Sequence, residues 1–171
     1  DDQVPNKAHL LTNADGSPFD YPYFIHDSYD STDAINRFDW TKATDSKAYP
    51  EHVKSQAFTR GLIALRRSTD AFRLKTKEDV DQAVTLITQP NANGVTASDL
   101  IIAYQTVASN GEIYAVFVNA DTKARDFVLT DAYQALRKAE VLVDGSKAGT
   151  VAITSPVGVV FTEHGLRLDP L

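Results

Sequence analysis

Polar, charged and aromatic side chains are interleaved in residues 28–40, which read SYDSTDAINRFDW. This mixture is wrong for a buried core and too aromatic for a linker. It suits a polyhydroxylated ligand, because carboxylates accept hydrogen bonds from vicinal hydroxyls and an arginine donates in a fixed fork. Aromatic faces can cover the apolar side of a ring. The segment is therefore the first candidate for a binding site.

Two charged residues of this segment, Asp33 and Arg37, stand four positions apart. In a helical turn this spacing places them on one face. The alternative to a role in binding is an ordinary surface ion pair, which would contribute only about 0.3–0.5 kcal/mol to stability. Tyr29 and Asn36 are weaker candidates, since a loop tyrosine also packs on the rim of a domain. Trp40, the single tryptophan, can stack on a sugar or fill an interface.

The composition excludes several classes of function. The chain has 171 residues, a net charge of −6 and no cysteine. An acidic surface disfavours a nucleic-acid partner, and the missing thiols exclude disulfides, thiol catalysis and thiolate metal sites. No apolar run reaches the roughly 18 residues of a membrane span, and residues 1–5 have none of the features of a signal peptide. The four histidines lack metal-ligand spacing to one another, so we expect neither a metal nor a cofactor site in this chain.

Elements that could position the segment follow it. Residues 51–67 have apolar side chains at helical spacing. We expect this helix to dock on the β-sandwich that follows through Phe58, Leu62 and Leu65. After Lys77 the apolar residues alternate with period two, which is typical of strands. The candidate strands are residues 84–88, 100–106, 113–119, 127–129, 141–143, 159–161 and 166–168. Asn110-Gly111 between two of them is a strong hairpin signal.

These patterns predict an all-β antiparallel sandwich of about 90 residues after a helix. Residues 1–50 are broken by prolines and glycine and do not resemble an independent domain. Such a long irregular stretch is usually functional, or depends on structure that is contributed by other residues.

Two motifs resemble a known family. Residues 27–40 match the pattern DSYDSxDxxNxxDW, and residues 61–73 match GLIxLRxxxxAFR. Both resemble type I pullulanases of the α-amylase family, in the region after the last strand of the catalytic barrel. The segments VPNKAHLL and IYAVFVNAD extend the resemblance over nearly the whole chain. It is closest to the cell-surface alkaline amylopullulanases of Gram-positive cocci.

The resemblance implies a fold and a site. Residues 1–75 would be the C-terminal remnant of a (β/α)8 barrel, a loop and a helix, and residues 76–171 the β-sandwich called domain C. Asp33 and Arg37 correspond to a pair that binds a glucose residue on the donor side of the cleaved bond. The motifs that carry the catalytic carboxylates, GFRxD, GEGW and HDN, are missing. Asp27 lies in HDS and is rejected as a catalytic residue, so we expect this chain alone to be inactive.

The function implied by the resemblance is debranching of α-glucans by hydrolysis of α-1,6-glucosidic bonds. Its partners would be pullulan, starch or glycogen and the missing catalytic barrel of the same protein. We expect an extracellular enzyme, anchored to the cell surface through a segment outside this chain. The resemblance implies no cofactor. Whether the intact enzyme holds a structural calcium ion is left open. The alternative is a noncatalytic carbohydrate-binding or structural β-sandwich module.

Overall fold

The computed structural model describes Asp15, Ser17, Tyr29, residues 33–87 and residues 98–170. The chain divides into two compact units, residues 1–49 and residues 50–171. The predictions for Asp27 and for the candidate strand residue Thr88 lie outside the described residues.

The described residues of the first unit include two short helices, α1 (Asp33–Asn36) and α2 (Trp40–Thr44). Asp39 caps α2, because its carboxylate accepts hydrogen bonds from the backbone N–H groups of Thr41 at 2.9 Å and Lys42 at 3.4 Å. This cap fixes where the chain turns between the two helices.

The second unit begins with helices α3 (Pro50–Ser68) and α4 (Lys77–Ala83). Proline suits the first turn of α3, and basic residues in its last turn suit the helix dipole. Helix α4 has a capping box. The Thr76 hydroxyl accepts from the Asp79 N–H, and the Asp79 carboxylate accepts from the Thr76 N–H, both at 3.1 Å.

Two antiparallel sheets of three strands follow. One has the order β1-β2-β3 and the other the order β4-β6-β5. The strands are β1 (Val84–Leu86), β2 (Ile101–Val107), β3 (Ile113–Asn119), β4 (Arg125–Val128), β5 (Val159–Thr162) and β6 (Gly165–Leu168). A 3-10 helix, Asp131–Lys138, lies between β4 and β5. The predicted hairpin is confirmed, since β2 pairs with β3 and Gly111 has the positive φ of 86° that its turn requires.

The two sheets share one apolar core. It is formed by buried side chains from both sheets and from the 3-10 helix: Ile87, Ala103, Phe127, Leu129, Leu136 and Leu166. Phe117 of β3 meets Phe127 of β4 edge to face, with ring centroids 5.3 Å apart. This contact joins the sheets at their centre.

A polar contact joins the sheets at one end. The buried amide of Asn119, at the end of β3, donates to the carbonyls of Lys123 at 3.0 Å, Leu168 at 3.3 Å and Asp169 at 3.0 Å. Arg125 binds Asp121 beside it, and this ion pair lowers the pKa of the Asp121 carboxyl below its ordinary value. The last strand is thereby tied to the first sheet.

Two local predictions need correction. Residues 141–143 do not form a strand. Val143 makes only an isolated bridge to Ala148, because the intervening residues turn back at once. Leu62 is 41% exposed, whereas Leu65 is 8% exposed. The buried side of α3 therefore centres on Gly61 and Leu65, where the helix backbone approaches Ala148.

The turn against α3 is held by a buried carboxylate, Asp144. Its oxygens accept from the N–H groups of Ser146 and Lys147 at 2.7 Å and of Val157 at 2.8 Å. Burial raises the pKa of Asp144, but these hydrogen bonds outweigh it and leave the pKa below its ordinary value. Asp144 thus fixes the backbone that α3 meets at Ala148.

This network gives a pH dependence. Because the pKa of Asp144 is lower in the folded than in the unfolded chain, its ionised form stabilises the fold above about pH 4, and the contribution is lost at lower pH. Asp144→Asn should lower the free energy of unfolding by about 1–2 kcal/mol at neutral pH. Urea unfolding of both proteins should show this difference shrinking in acid. A difference that is constant with pH would contradict this role of the carboxylate.

Gly61 should be intolerant of a side chain. A Cβ there would lie 1.9 Å from the carbonyl oxygen of Ala148, which is backbone and cannot rotate away. Alanine normally favours a helix by about 1 kcal/mol over glycine, but overpacking costs about 1–3 kcal/mol. We expect Gly61→Ala to destabilise the chain by up to about 2 kcal/mol net, as measured by urea unfolding. Gly149→Ala is the control, because a Cβ at that position would meet no atom within 4 Å; equal effects of the two would contradict the contact.

Candidate functional site

Asp33 and Arg37 lie one helical turn apart, as their spacing predicted. The N–H of Arg37 donates to the carbonyl of Asp33 at 2.9 Å, which closes the turn that α1 begins. Both residues are exposed. Among the ion pairs between residues that the structure describes, none joins these two side chains. The turn therefore presents a carboxylate and a guanidinium side by side to solvent.

An aromatic pair lies directly after this turn. Phe38 is 62% exposed and Trp40 is 67% exposed. Their ring centroids are 4.8 Å apart in an edge-to-face arrangement. Phe38 was not singled out from the sequence, although its place between Arg37 and Trp40 in the polar and aromatic segment could have indicated it.

The other sequence candidates also lie at the surface. Asn36 ends α1 and is exposed, and Tyr29 is 94% exposed. The structure brings Asn36 onto the same short helix as Asp33 and places Phe38 and Trp40 next along the chain. The unit thus combines hydrogen-bond acceptors, a forked donor and aromatic surface, which is the chemistry that recognises a sugar ring.

Two other kinds of site are missing from the residues that the structure describes. Within them, no three histidine, aspartate or glutamate side chains are grouped so that they could hold a metal ion. None of the described helices is long and apolar enough to cross a bilayer.

A family model identifies the class of protein. The SpuA C-terminal model matches residues 83–171, which is just over half of the chain. The chain therefore belongs to the SpuA C-terminal family.

The curated relatives are pullulanases. The chain is 63% identical over all 171 residues to Pullulanase A of Streptococcus pneumoniae serotype 2, and 63% identical to Pullulanase A of serotype 4. It spans 14% and 13% of the length of these two proteins. The resemblance to pullulanases of Gram-positive cocci is thus confirmed, and the chain corresponds to a small part of much longer proteins.

Solved structures match nearly the whole chain. The catalytic module of the multi-modular glycogen-degrading pneumococcal virulence factor SpuA matches with a TM-score of 0.86 and 63% identity. This match covers 99% of this chain and 24% of that one. The Group B Streptococcus pullulanase SAP matches with a TM-score of 0.83 and 51% identity, covering 99% of this chain and 21% of that one.

Proposed function

We propose that the chain is the C-terminal part of a pullulanase, a glycoside hydrolase that debranches pullulan, starch or glycogen at α-1,6-glucosidic bonds. The observation that carries the proposal is the 63% identity to Pullulanase A over every residue of the chain. The match to the SpuA catalytic module supports it, as does a structure of the pullulanase SAP in complex with maltotetraose.

In this enzyme, Asp33 and Arg37 hold one glucose residue on the donor side of the cleaved bond. The exposed carboxylate accepts from two neighbouring hydroxyls, and the guanidinium donates to ring or hydroxyl oxygens. Asn36 and Tyr29 are weaker contributors, and the Phe38–Trp40 pair offers apolar surface beside them. These residues bind substrate and do not act on the scissile bond.

The fold assigned to this function has two parts. Residues 1–75 are the tail of a (β/α)8 barrel that carries the sugar loop, and residues 76–171 are a supporting β-sandwich. The shared core of the two three-stranded sheets supports the sandwich, and the family model begins nearby at residue 83. The division into compact units falls earlier, between residues 49 and 50, because α3 groups with the sheets.

The chain by itself should not hydrolyse pullulan. Glycosidic hydrolysis needs two carboxylates facing each other across the bond, and the motifs that carry them are missing from this sequence. Chromatography of pullulan incubated with the purified chain should show no maltotriose above the enzyme-free blank, while the intact protein releases it. Maltotriose release by the chain alone would show that the catalytic groups are not confined to residues outside this chain. An intact protein that releases no maltotriose would overturn the proposed function.

The proposed location is outside the cell, at the surface, through an anchor that is not among these residues. The description of a solved relative as a virulence factor supports this location. Antibody labelling of intact cells tests it, and labelling only after lysis would contradict it.

A further inference from the structure

A cleft lined by polar and apolar side chains lies in residues 50–171, away in sequence from the candidate site at residues 29–40. It has a volume of about 390 Å³, and it lies where the connection from α3 to α4 passes the end of β2. Its lining comprises Asp70, Arg73, Leu74, Lys75, Asp79, Gln82, Ala83, Val107 and Ser109. Known small-molecule sites begin at roughly this size.

The wall of this cleft is fixed by hydrogen bonds across the fold. The Asp70 carboxylate accepts from the N–H of Ser109 at 3.1 Å, which joins positions 39 residues apart. The Thr106 hydroxyl, buried in β2, donates to the carbonyl of Ala71 at 3.0 Å. Arg73 is oriented by the bond from its Nε to the carbonyl of Thr69 at 3.2 Å. Asp70 and Arg73 are therefore held in place before any ligand arrives, which reduces the cost of binding.

The charges of the lining balance. Two carboxylates, Asp70 and Asp79, stand with two cations, Arg73 and Lys75. Hydrogen bonding to Ser109 lowers the pKa of Asp70, so it remains an ionised acceptor at neutral pH. A balanced set disfavours a strongly anionic or cationic ligand and offers both donors and acceptors to a neutral one.

We propose that this cleft is a second saccharide site, which takes a neutral α-glucan segment of about two glucose units. Hydroxyl groups would meet Asp70, Arg73, Lys75 and Gln82, and the apolar face of a ring would lie on Leu74 and Val107. Among the described residues no aromatic ring lines the cleft, so the site binds weakly and serves to retain a long polymer. The choice of an α-glucan rests on the proposed function. The preference for a neutral ligand rests on the lining of the cleft alone.

Hydrogen exchange on the intact protein with millimolar maltotetraose tests the cleft. Peptides covering residues 70–83 and 107–109 should gain protection. No protection there, or protection by inorganic phosphate but not by maltotetraose, would overturn the proposal. If the intact protein failed to cleave pullulan while these peptides were protected, the proposed function would be wrong, but saccharide binding in the cleft would be supported.

A matched pair of double variants gives a second readout. Lys75 and Gln82 are exposed, and no hydrogen bond or ion pair between described residues uses their side chains. Lys75→Ala with Gln82→Ala should weaken retention on glycogen-containing native gels about threefold to tenfold. Lys138→Ala with Gln134→Ala removes the same groups at exposed positions outside the cleft and should leave retention unchanged. Equal retention of the two double variants would contradict the site.

Discussion

Replacing Asp33 or Arg37 with alanine in the intact protein is expected to raise KM for long α-glucans by about 10- to 150-fold. The basis is the loss of a charge-assisted hydrogen bond to a sugar, which costs about 1.5–3 kcal/mol. Neither residue is placed at the scissile bond, so kcat should change much less. Substrates too short to reach the donor-side glucose should lose little. Steady-state kinetics on a long and a short substrate measure the contrast.

Controls separate binding from folding. Arg37→Lys keeps the charge but loses the forked donor. Its KM for long α-glucans should therefore lie between those of wild type and Arg37→Ala. Arg60→Ala removes an exposed arginine from α3 and should match wild type. Equal losses on long and short substrates at an unchanged Tm would show that the pair is misplaced. A lower Tm with normal kinetics would instead favour a structural role for the two side chains.

Leu129→Ala is expected to destabilise the second unit by about 2–5 kcal/mol. Leu129 is 1% exposed, and its side chain is part of the core that the two sheets share. The lost free energy of unfolding combines two contributions. One is the transfer free energy of the removed atoms from water to the core, and the other is the cost of the cavity that remains. Thermal unfolding should show Tm lowered by about 5–15 °C.

The matched control is Leu100→Ala. Leu100 is 61% exposed, and the same truncation there should change stability by less than about 0.5 kcal/mol. A shift for Leu129→Ala as small as that for Leu100→Ala would mean that the two sheets do not share the core described above.

The elements that were predicted well are those whose conformation is determined by residues next to them in sequence. Asn110-Gly111 determines the hairpin because few other residues adopt the positive φ that its turn requires. β3 has the predicted bounds, since its alternating pattern is bordered by turn residues. Residues 141–143 were predicted wrongly because an apolar triplet becomes a strand only when a neighbour pairs with it. Here the hydrogen bonds of Asp144 turn the chain first.

The site was predictable only where it is contiguous in sequence. The spacing of Asp33 and Arg37 suffices to place both on one helical turn. The cleft is different, because Asp70 and Ser109 are joined by a hydrogen bond across 39 positions. Asp70, Arg73, Lys75 and Asp79 lie close together in sequence, but only the fold brings Val107 and Ser109 beside them to complete the cleft.

The most direct measurement is a crystal structure of the intact protein with maltotetraose. We expect one donor-side glucose with the Asp33 carboxylate and the Arg37 guanidinium both within about 2.5–3.2 Å of its oxygens. Maltotetraose bound across the catalytic carboxylates with both side chains beyond hydrogen-bond distance of every sugar oxygen would contradict it.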